Sequence, residues 1–96
     1  MSSFEKVKKF LEQAKGENIH FKKHFYDKTK ERPISEALAR SSLKKTDRLL
    51  KVEEQPSRRE GEEKYKLWFK LSNKYSLVVI ATISGARLQV TLVAPH

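Results

Sequence analysis

The residues of this sequence that are best suited to chemistry are basic, and three of them recur at intervals of four. His24, Lys28 and Arg32 would therefore share one face of a helix. Like charges in a row repel one another mildly and do not favour the helix, so a ligand such as a phosphate backbone would explain them. The alternative is an ordinary solvated helix face, on which Asp27 and Glu31 partly compensate the charge.

A second basic group alternates with apolar residues near the C-terminus. From position 64 onwards, the apolar residues at every second position are Tyr65, Leu67, Phe69 and Leu71. The alternate positions carry Lys64, Lys66 and Lys70. This alternation predicts a strand with one apolar and one cationic face. Trp68 falls among the lysines, where it is either a base-stacking platform or interface anchor, or a core residue beneath a helix.

Other kinds of catalytic site find little support. His20 and His24 have the spacing of two metal ligands on a helix, and Asp27 and Glu31 lie nearby, but no third ligand is obvious. We therefore predict ordinary histidines, no metal and no cofactor. The sequence has no cysteine, which excludes disulfides and thiol nucleophiles, and its three glycines form no glycine-rich phosphate loop.

The overall charge favours a polyanionic partner. Lysine and arginine number 21 against 12 acidic residues, a formal net charge of +9 in 96 residues. Nucleic acid is the simplest such partner, and a lysine-rich surface that serves solubility is the alternative. The length predicts one domain, residues 1–96. No apolar run approaches a membrane span or a signal peptide, so we expect no membrane contact and a cytoplasmic protein.

The N-terminal part, residues 2–45, reads as helical. Ser2 and Glu5 have capping-box spacing ahead of an amphipathic helix, and Gly16 is placed to end it. A weaker helical pattern covers residues 22–31. Ser35 follows Pro33 as a good N-cap for a helix from 36 to 43.

Strand patterns dominate residues 48–94. Candidate strands cover residues 49–53, 64–71, 75–83 and 87–93, and Gly85 lies in the turn between the last two. Residues 19–21 are too few to assign, and read either as a strand fragment or as the start of the next helix. The prediction is an α+β domain in which two to three N-terminal helices pack on a three- to four-stranded antiparallel sheet.

The basic stripe and the residues after it resemble a known pattern. His24, Lys28 and Arg32, then Pro33-Ile34-Ser35-Glu36, Leu43 and Thr46-Asp47, are similar to a family of small domains that carry His-x3-Arg-x3-Arg-x-Ile-Ser. That family is grouped with the RelE, ParE and BrnT toxin superfamily, and the resemblance covers residues 19–93. Lys28 replaces the usual arginine, which keeps the charge but loses bidentate phosphate recognition, and Pro33 replaces a common glycine.

The resemblance implies an RNA-binding or RNA-cleaving, toxin-like domain. RelE-like ribonucleases use the 2′-hydroxyl of the RNA and need no metal. The implied catalytic residues are His24 as acid or base, with Lys66, Lys70 and Arg87, aided by Arg32, stabilising charge. The implied nucleic-acid-binding residues are Lys28, Arg32, Arg58, Arg59, Lys64, Tyr65, Trp68, Lys74 and Tyr75. The implied protein partner is an acidic antitoxin.

Two other functions fit the same residues. The first is a non-catalytic nucleic-acid-binding protein, which needs the lysines but no poised His24. The second is an interaction domain whose basic face binds an acidic protein. Salt-sensitive binding without cleavage would favour the first, and weak, nonspecific nucleic-acid binding would favour the second.

Overall fold

A computed structural model of the chain describes residues 2–23, 25, 35–57 and 60–95. Its helices are α1 (Ser3–Gln13) and α2 (Glu36–Lys44), and its strands are β1 (Ile19–Phe21), β2 (Leu49–Gln55), β3 (Glu62–Lys70), β4 (Ser76–Ser84) and β5 (Arg87–Pro95). Short 3₁₀ turns, Gly16–Asn18 and Thr46–Arg48, lead into β1 and β2. The described residues thus form an α+β structure, as predicted.

Helix α1 begins where the sequence predicts and ends earlier. The Ser2 hydroxyl accepts a hydrogen bond from the Glu5 backbone N–H at 3.2 Å, so Ser2 is the N-cap. The helix ends at Gln13 because Ala14 is already extended. The prediction that Gly16 ends the helix was therefore wrong, and Gly16 instead opens the 3₁₀ turn that leads to β1.

Helix α2 confirms the predicted cap. The Ser35 hydroxyl accepts a hydrogen bond from the Leu38 backbone N–H at 3.1 Å. Ala39 and Leu43 are fully buried, so one face of this helix enters the core. The helix predicted at residues 22–31 lies largely outside the described residues; of that range, Lys23 and Phe25 are described as helical. With α1 and α2, the described residues agree with the predicted two to three helices.

The sheet differs from the prediction in strand number and direction. Within the described residues it has five strands in the order β1-β5-β4-β3-β2. Strands β2 to β5 form the predicted antiparallel meander, whereas β1 pairs parallel with β5, Ile19 opposite Leu88. The sheet is therefore mixed. The prediction of an antiparallel sheet confined to residues 48–94 was wrong because β1 has only three residues, too few for a readable alternation, and comes from the helical part of the chain.

Arg40 of α2 contacts β1 and the 3₁₀ turn that precedes it. Its Nη1 donates hydrogen bonds to the carbonyl oxygens of Gly16, at 2.8 Å, and Ile19, at 3.3 Å. Its guanidinium also lies 5.0 Å from the centre of the Phe21 ring. The 3₁₀ turn, β1 and α2 are thus joined by one side chain.

The main core lies on one side of the sheet. Val7 and Leu11 of α1 and Leu43 of α2 belong to the same buried cluster as Leu67 and Phe69 of β3. Phe25, which is 1% exposed, also belongs to it. In the part of the chain that the structure describes, no helix is long and apolar enough to cross a membrane.

Candidate functional site: the open face of the sheet

The other side of the sheet carries the predicted cationic residues. Along β3, Tyr65, Leu67 and Phe69 are buried, and the residues between them point to the opposite side. We call that side the open face: on β3 it consists of Glu62, Lys64, Lys66, Trp68 and Lys70, and on the other strands of the residues paired with them. None of its residues belongs to the core cluster that contains the helix side chains.

Trp68 lies on the open face between two lysines. The Lys51 ammonium is 4.9 Å from the centre of its ring, and the Lys66 ammonium is 5.0 Å from it. Lys51 reaches this position because β2 pairs it directly with Trp68 across the strands, whereas Lys66 is two residues away on β3. Both contacts are within the range of cation–π attraction. The indole is partly buried and outside the core cluster, so the alternative of a core tryptophan beneath a helix is not seen among the described residues.

An apolar strip extends from Trp68 across the sheet. Val78 of β4 pairs with Trp68 and, on its other side, with Ala94 of β5. In the next row, Ile80 lies between Lys66 and Leu92. Val78 and Ala94 are each 7% exposed yet lie outside the core cluster, and Ile80 and Leu92 are partly exposed. Apolar surface rimmed by charge is a common mark of an interaction site.

Positive charge predominates on the open face. Its strand residues include five basic side chains, Lys51, Lys64, Lys66, Lys70 and Arg87, and two acidic ones, Glu53 and Glu62. Glu53 pairs with Lys66 across the strands, and its Oε2 lies 3.7 Å from the Lys51 ammonium. Both groups of that ion pair are more than half exposed, so it contributes little to stability.

The predicted catalytic residues share this face but do not converge. Lys66 and Lys70 are four residues apart on β3. Arg87 is in register with Glu62, two strands away, which separates its Cα from that of Lys66 by roughly 16 Å at ordinary strand spacings. This spacing suits contacts along an extended ligand better than convergence on one reacting phosphate. His24, the predicted acid or base, lies outside the described residues.

The predicted nucleic-acid-binding residues divide into three groups. Lys64 and Trp68 lie on the open face, and Lys74 and Tyr75 lie at its end, in the connection between β3 and β4, where Tyr75 is 62% exposed. Tyr65 is 2% exposed and points into the core, so the prediction that it stacks a base was wrong. Four others lie outside the described residues: Lys28, Arg32, Arg58 and Arg59.

Tyr65 instead belongs to a polar network on the helical side of the sheet. Its hydroxyl donates a hydrogen bond to Glu63 Oε2 at 2.9 Å, and the Lys6 ammonium of α1 binds Glu63 Oε1. Burial of the ring, reinforced by the Glu63 carboxylate, raises the pKa of Tyr65 to about 12. The hydrogen bond from Lys6, then that from Tyr65, lowers the pKa of Glu63. The network joins α1 to β3.

The protein also has a concave surface away from the open face. A groove of about 430 Å³ lies between α1 and the β4–β5 turn, with Phe10, Lys9 and Gly85 in its lining. Among the described residues, no three histidine or carboxylate side chains are grouped so as to hold a metal ion. The open face combines basic side chains with a partly exposed indole, so it is the candidate ligand-binding surface.

Sequence reasoning missed Lys51 because its place beside Trp68 depends on strand pairing. Lys51 was part of a strand candidate and carried no motif of its own. The structure sets it opposite Trp68, where the two form one surface. A β-bulge between Leu49 and Lys51 shifts the register just before this pair.

Comparison of the chain with protein-family models, with curated proteins and with solved structures gives no match. The resemblance to the RelE, ParE and BrnT superfamily therefore stays a prediction from the residue pattern, and the open face itself is the basis for a functional proposal.

Proposed function

We propose that this protein is a toxin-type module that acts on RNA and holds single-stranded RNA on the open face. Trp68 stacks against an unpaired base, and the surrounding lysines bind the phosphates on either side of it. The observation that carries the proposal is the partly exposed indole with two ammonium groups, those of Lys51 and Lys66, 4.9 and 5.0 Å from the centre of its ring.

Two kinds of contact would contribute to the affinity for RNA. Stacking of a base on an aromatic ring contributes about 1–3 kcal/mol. Lysines add a salt-dependent term, because each phosphate they neutralise releases counterions. To stack on the Trp68 ring, a base must be free of its own stacking and pairing neighbours. An unpaired, splayed base meets this requirement, whereas a base within a duplex does not.

Cleavage of the RNA is the further step that the family resemblance suggests. It requires a group that takes the 2′-hydroxyl proton, and His24 is the predicted candidate. The open face supplies cations along a strand of RNA but does not gather them around one phosphate. Binding is therefore the part of the proposal that the geometry supports best, and ribonuclease activity depends on His24.

An acidic protein partner, such as an antitoxin, is the second candidate ligand. The partly exposed residues of the apolar strip, Ile80 and Leu92, favour it, because nucleic-acid phosphates do not use aliphatic surface. An amphipathic segment with acidic groups beside apolar ones would cover both parts of the face. Such a partner would compete with RNA for the same surface.

Trp68 is the only tryptophan of the chain, so its fluorescence reports directly on the proposed contact. We expect a short oligouridine to quench this fluorescence. Trp68→Ala should raise the dissociation constant, measured by anisotropy of labelled RNA, about 5- to 100-fold, and Trp68→Phe should retain most of the affinity. The same mixtures, run on a denaturing gel with EDTA present, would show whether the RNA is cut and whether His24→Ala abolishes cutting.

Lys9→Ala is the matched control, since it removes one positive charge from α1 on the opposite side of the sheet. It should leave fluorescence quenching unchanged and alter affinity much less than Lys66→Ala. Circular dichroism would verify that each variant is folded. Binding of RNA without any change in Trp68 fluorescence, or equal losses in Lys9→Ala and Lys66→Ala, would contradict the proposal.

A further inference from the structure

Strand β2 forms one edge of the sheet, and it carries charged side chains of opposite sign that can pair with those of a second β2 strand. In the described part of the chain, β2 follows β3 as the last strand, so one side of its backbone pairs with no described strand. Exposed edges of this kind pair readily with other strands, and proteins protect them with charged residues. Here the charges are of opposite sign, Lys51 and Glu53, and both project onto the open face.

We propose that β2 pairs antiparallel with β2 of a second copy, about a two-fold axis through Val52. This inference goes beyond the proposed function and does not depend on it. In this register, Lys51 of each copy faces Glu53 of the other, which forms two opposite-charge pairs across the strands. The occupant of the edge is thus another molecule of the same chain.

The charges select this register over its neighbours. A two-fold axis through Lys51 would place the two lysines opposite each other, and an axis through Glu53 would do the same with the two glutamates. Like charges directly opposite each other destabilise a strand pair. An axis through Glu54 would bring together two carboxylates on the helical side of the sheet. Among the four registers centred on residues 51 to 54, the one centred on Val52 brings no like charges together and pairs opposite charges twice.

Exposure along β2 is compatible with such pairing. Lys51 and Glu53 have exposed side chains, 63% and 51%, and already lie 3.7 Å apart within one chain. Leu50, beside the bulge, is 54% exposed, an unusual amount for a large apolar side chain, and it lies next to the pairing edge. Glu54 accepts a hydrogen bond from Ser3 of α1 at 2.9 Å, which holds it on the helical side.

The dimer would have a defined geometry. A two-fold axis perpendicular to the sheet keeps both open faces on the same side. Two sheets would join into one, with the two Trp68 rings separated by the paired β2 strands. Because one strand pair buries little surface, the association should be weak and concentration-dependent.

Sedimentation velocity of the full chain, over roughly 10 µM to 1 mM, tests the proposal. The wild type should pass from monomer to dimer within this range. Lys51→Glu and Glu53→Lys should each raise the dissociation constant about tenfold or more, and the double variant should restore it, because opposite charges then face each other again. Lys70→Glu, which changes the net charge by the same amount as Lys51→Glu but lies on β3, should have a much smaller effect.

Three results would overturn the proposal. One is a wild-type protein that stays monomeric at the highest concentration. Another is a dimer that neither single reversal weakens, which would place the interface elsewhere. The third is a double variant that remains as weak as the single ones, since the Val52-centred register requires restoration. Melting temperatures of the monomers would verify that the reversals have not unfolded the chain.

Discussion

Tyr65 shows how one step of strand alternation decides the role of a side chain. As a tyrosine beside lysines in the sequence, it qualified as a base-stacking residue. In the structure it points to the core side of β3, is 2% exposed, and donates its hydroxyl hydrogen to Glu63. Trp68, at a position of opposite parity, points to the open face. Of these two aromatic residues, Trp68 is therefore the one that can meet a ligand on the open face.

The Tyr65 hydroxyl should ionise only at strongly alkaline pH. Its folded-state pKa is raised to about 12, above the unfolded value of 10.0. The corresponding stability is fully present below pH 10 and is lost as the pH rises through 12, and it amounts to at most about 3 kcal/mol. We expect ultraviolet titration to show one of the three tyrosines ionising near pH 12, and Tyr65→Phe to abolish that step.

Stability measurements provide the control for this prediction. The difference in unfolding free energy between the wild type and Tyr65→Phe should be constant at neutral pH and shrink between pH 10 and 12. If the delayed ionisation persisted in Tyr65→Phe, the raised pKa would belong to another tyrosine.

At the scale of elements, the β4–β5 hairpin depends on the backbone of one glycine. Gly85 has a φ of +60°, which a type II′ turn requires at its first central position. Residues other than glycine adopt this backbone conformation only at a cost in free energy. Gly85→Ala should therefore lower the unfolding free energy by about 1–2 kcal/mol, measured by denaturant titration.

Gly16→Ala is the matched control for the hairpin. A Cβ at Gly16 would lie 3.6 Å from the Lys44 ammonium and 4.0 Å from Arg40 Nη1, which are ordinary contacts, and its φ is not positive. We expect a change within about 0.5 kcal/mol. Equal losses in both variants would show that the turn conformation is not the cause.

The elements that could be predicted from the sequence are those whose signals are local. The caps at Ser2 and Ser35 and the alternation through β3 each lie within a few residues, and the structure confirms them. Strand β1 could not be predicted, because it is held by parallel pairing with β5 and by Arg40, both distant in sequence. The surface around Trp68 was predicted only in part, since Lys51 joins it through strand pairing.

At the scale of the whole molecule, the excess positive charge and the open face predict different salt responses. A net charge of +9 attracts any polyanion, whereas the open face binds through a defined set of lysines. If about four phosphates are neutralised there, the logarithm of the binding constant should fall with the logarithm of salt concentration with a slope of about −3 for single-stranded RNA.

Lysine variants distinguish binding through the overall net charge from binding through the open face. Lys64→Ala should reduce the magnitude of the slope by roughly 0.7, because it removes one phosphate contact, while Lys9→Ala should leave the slope nearly unchanged. Anisotropy titrations at several salt concentrations measure both. Equal slopes for Lys64→Ala and Lys9→Ala would mean that RNA binds without preference for the open face.

The parallel pairing of β1 with β5 has a consequence for biosynthesis. Ile19 leaves the ribosome well before its partner Leu88, which belongs to the last strand that the structure describes. Until β5 has emerged, β1 has no neighbour in the sheet, and β4 lacks the strand on its other side. The nascent chain therefore cannot complete this sheet stepwise from its N-terminus, and we expect final assembly to follow translation of β5.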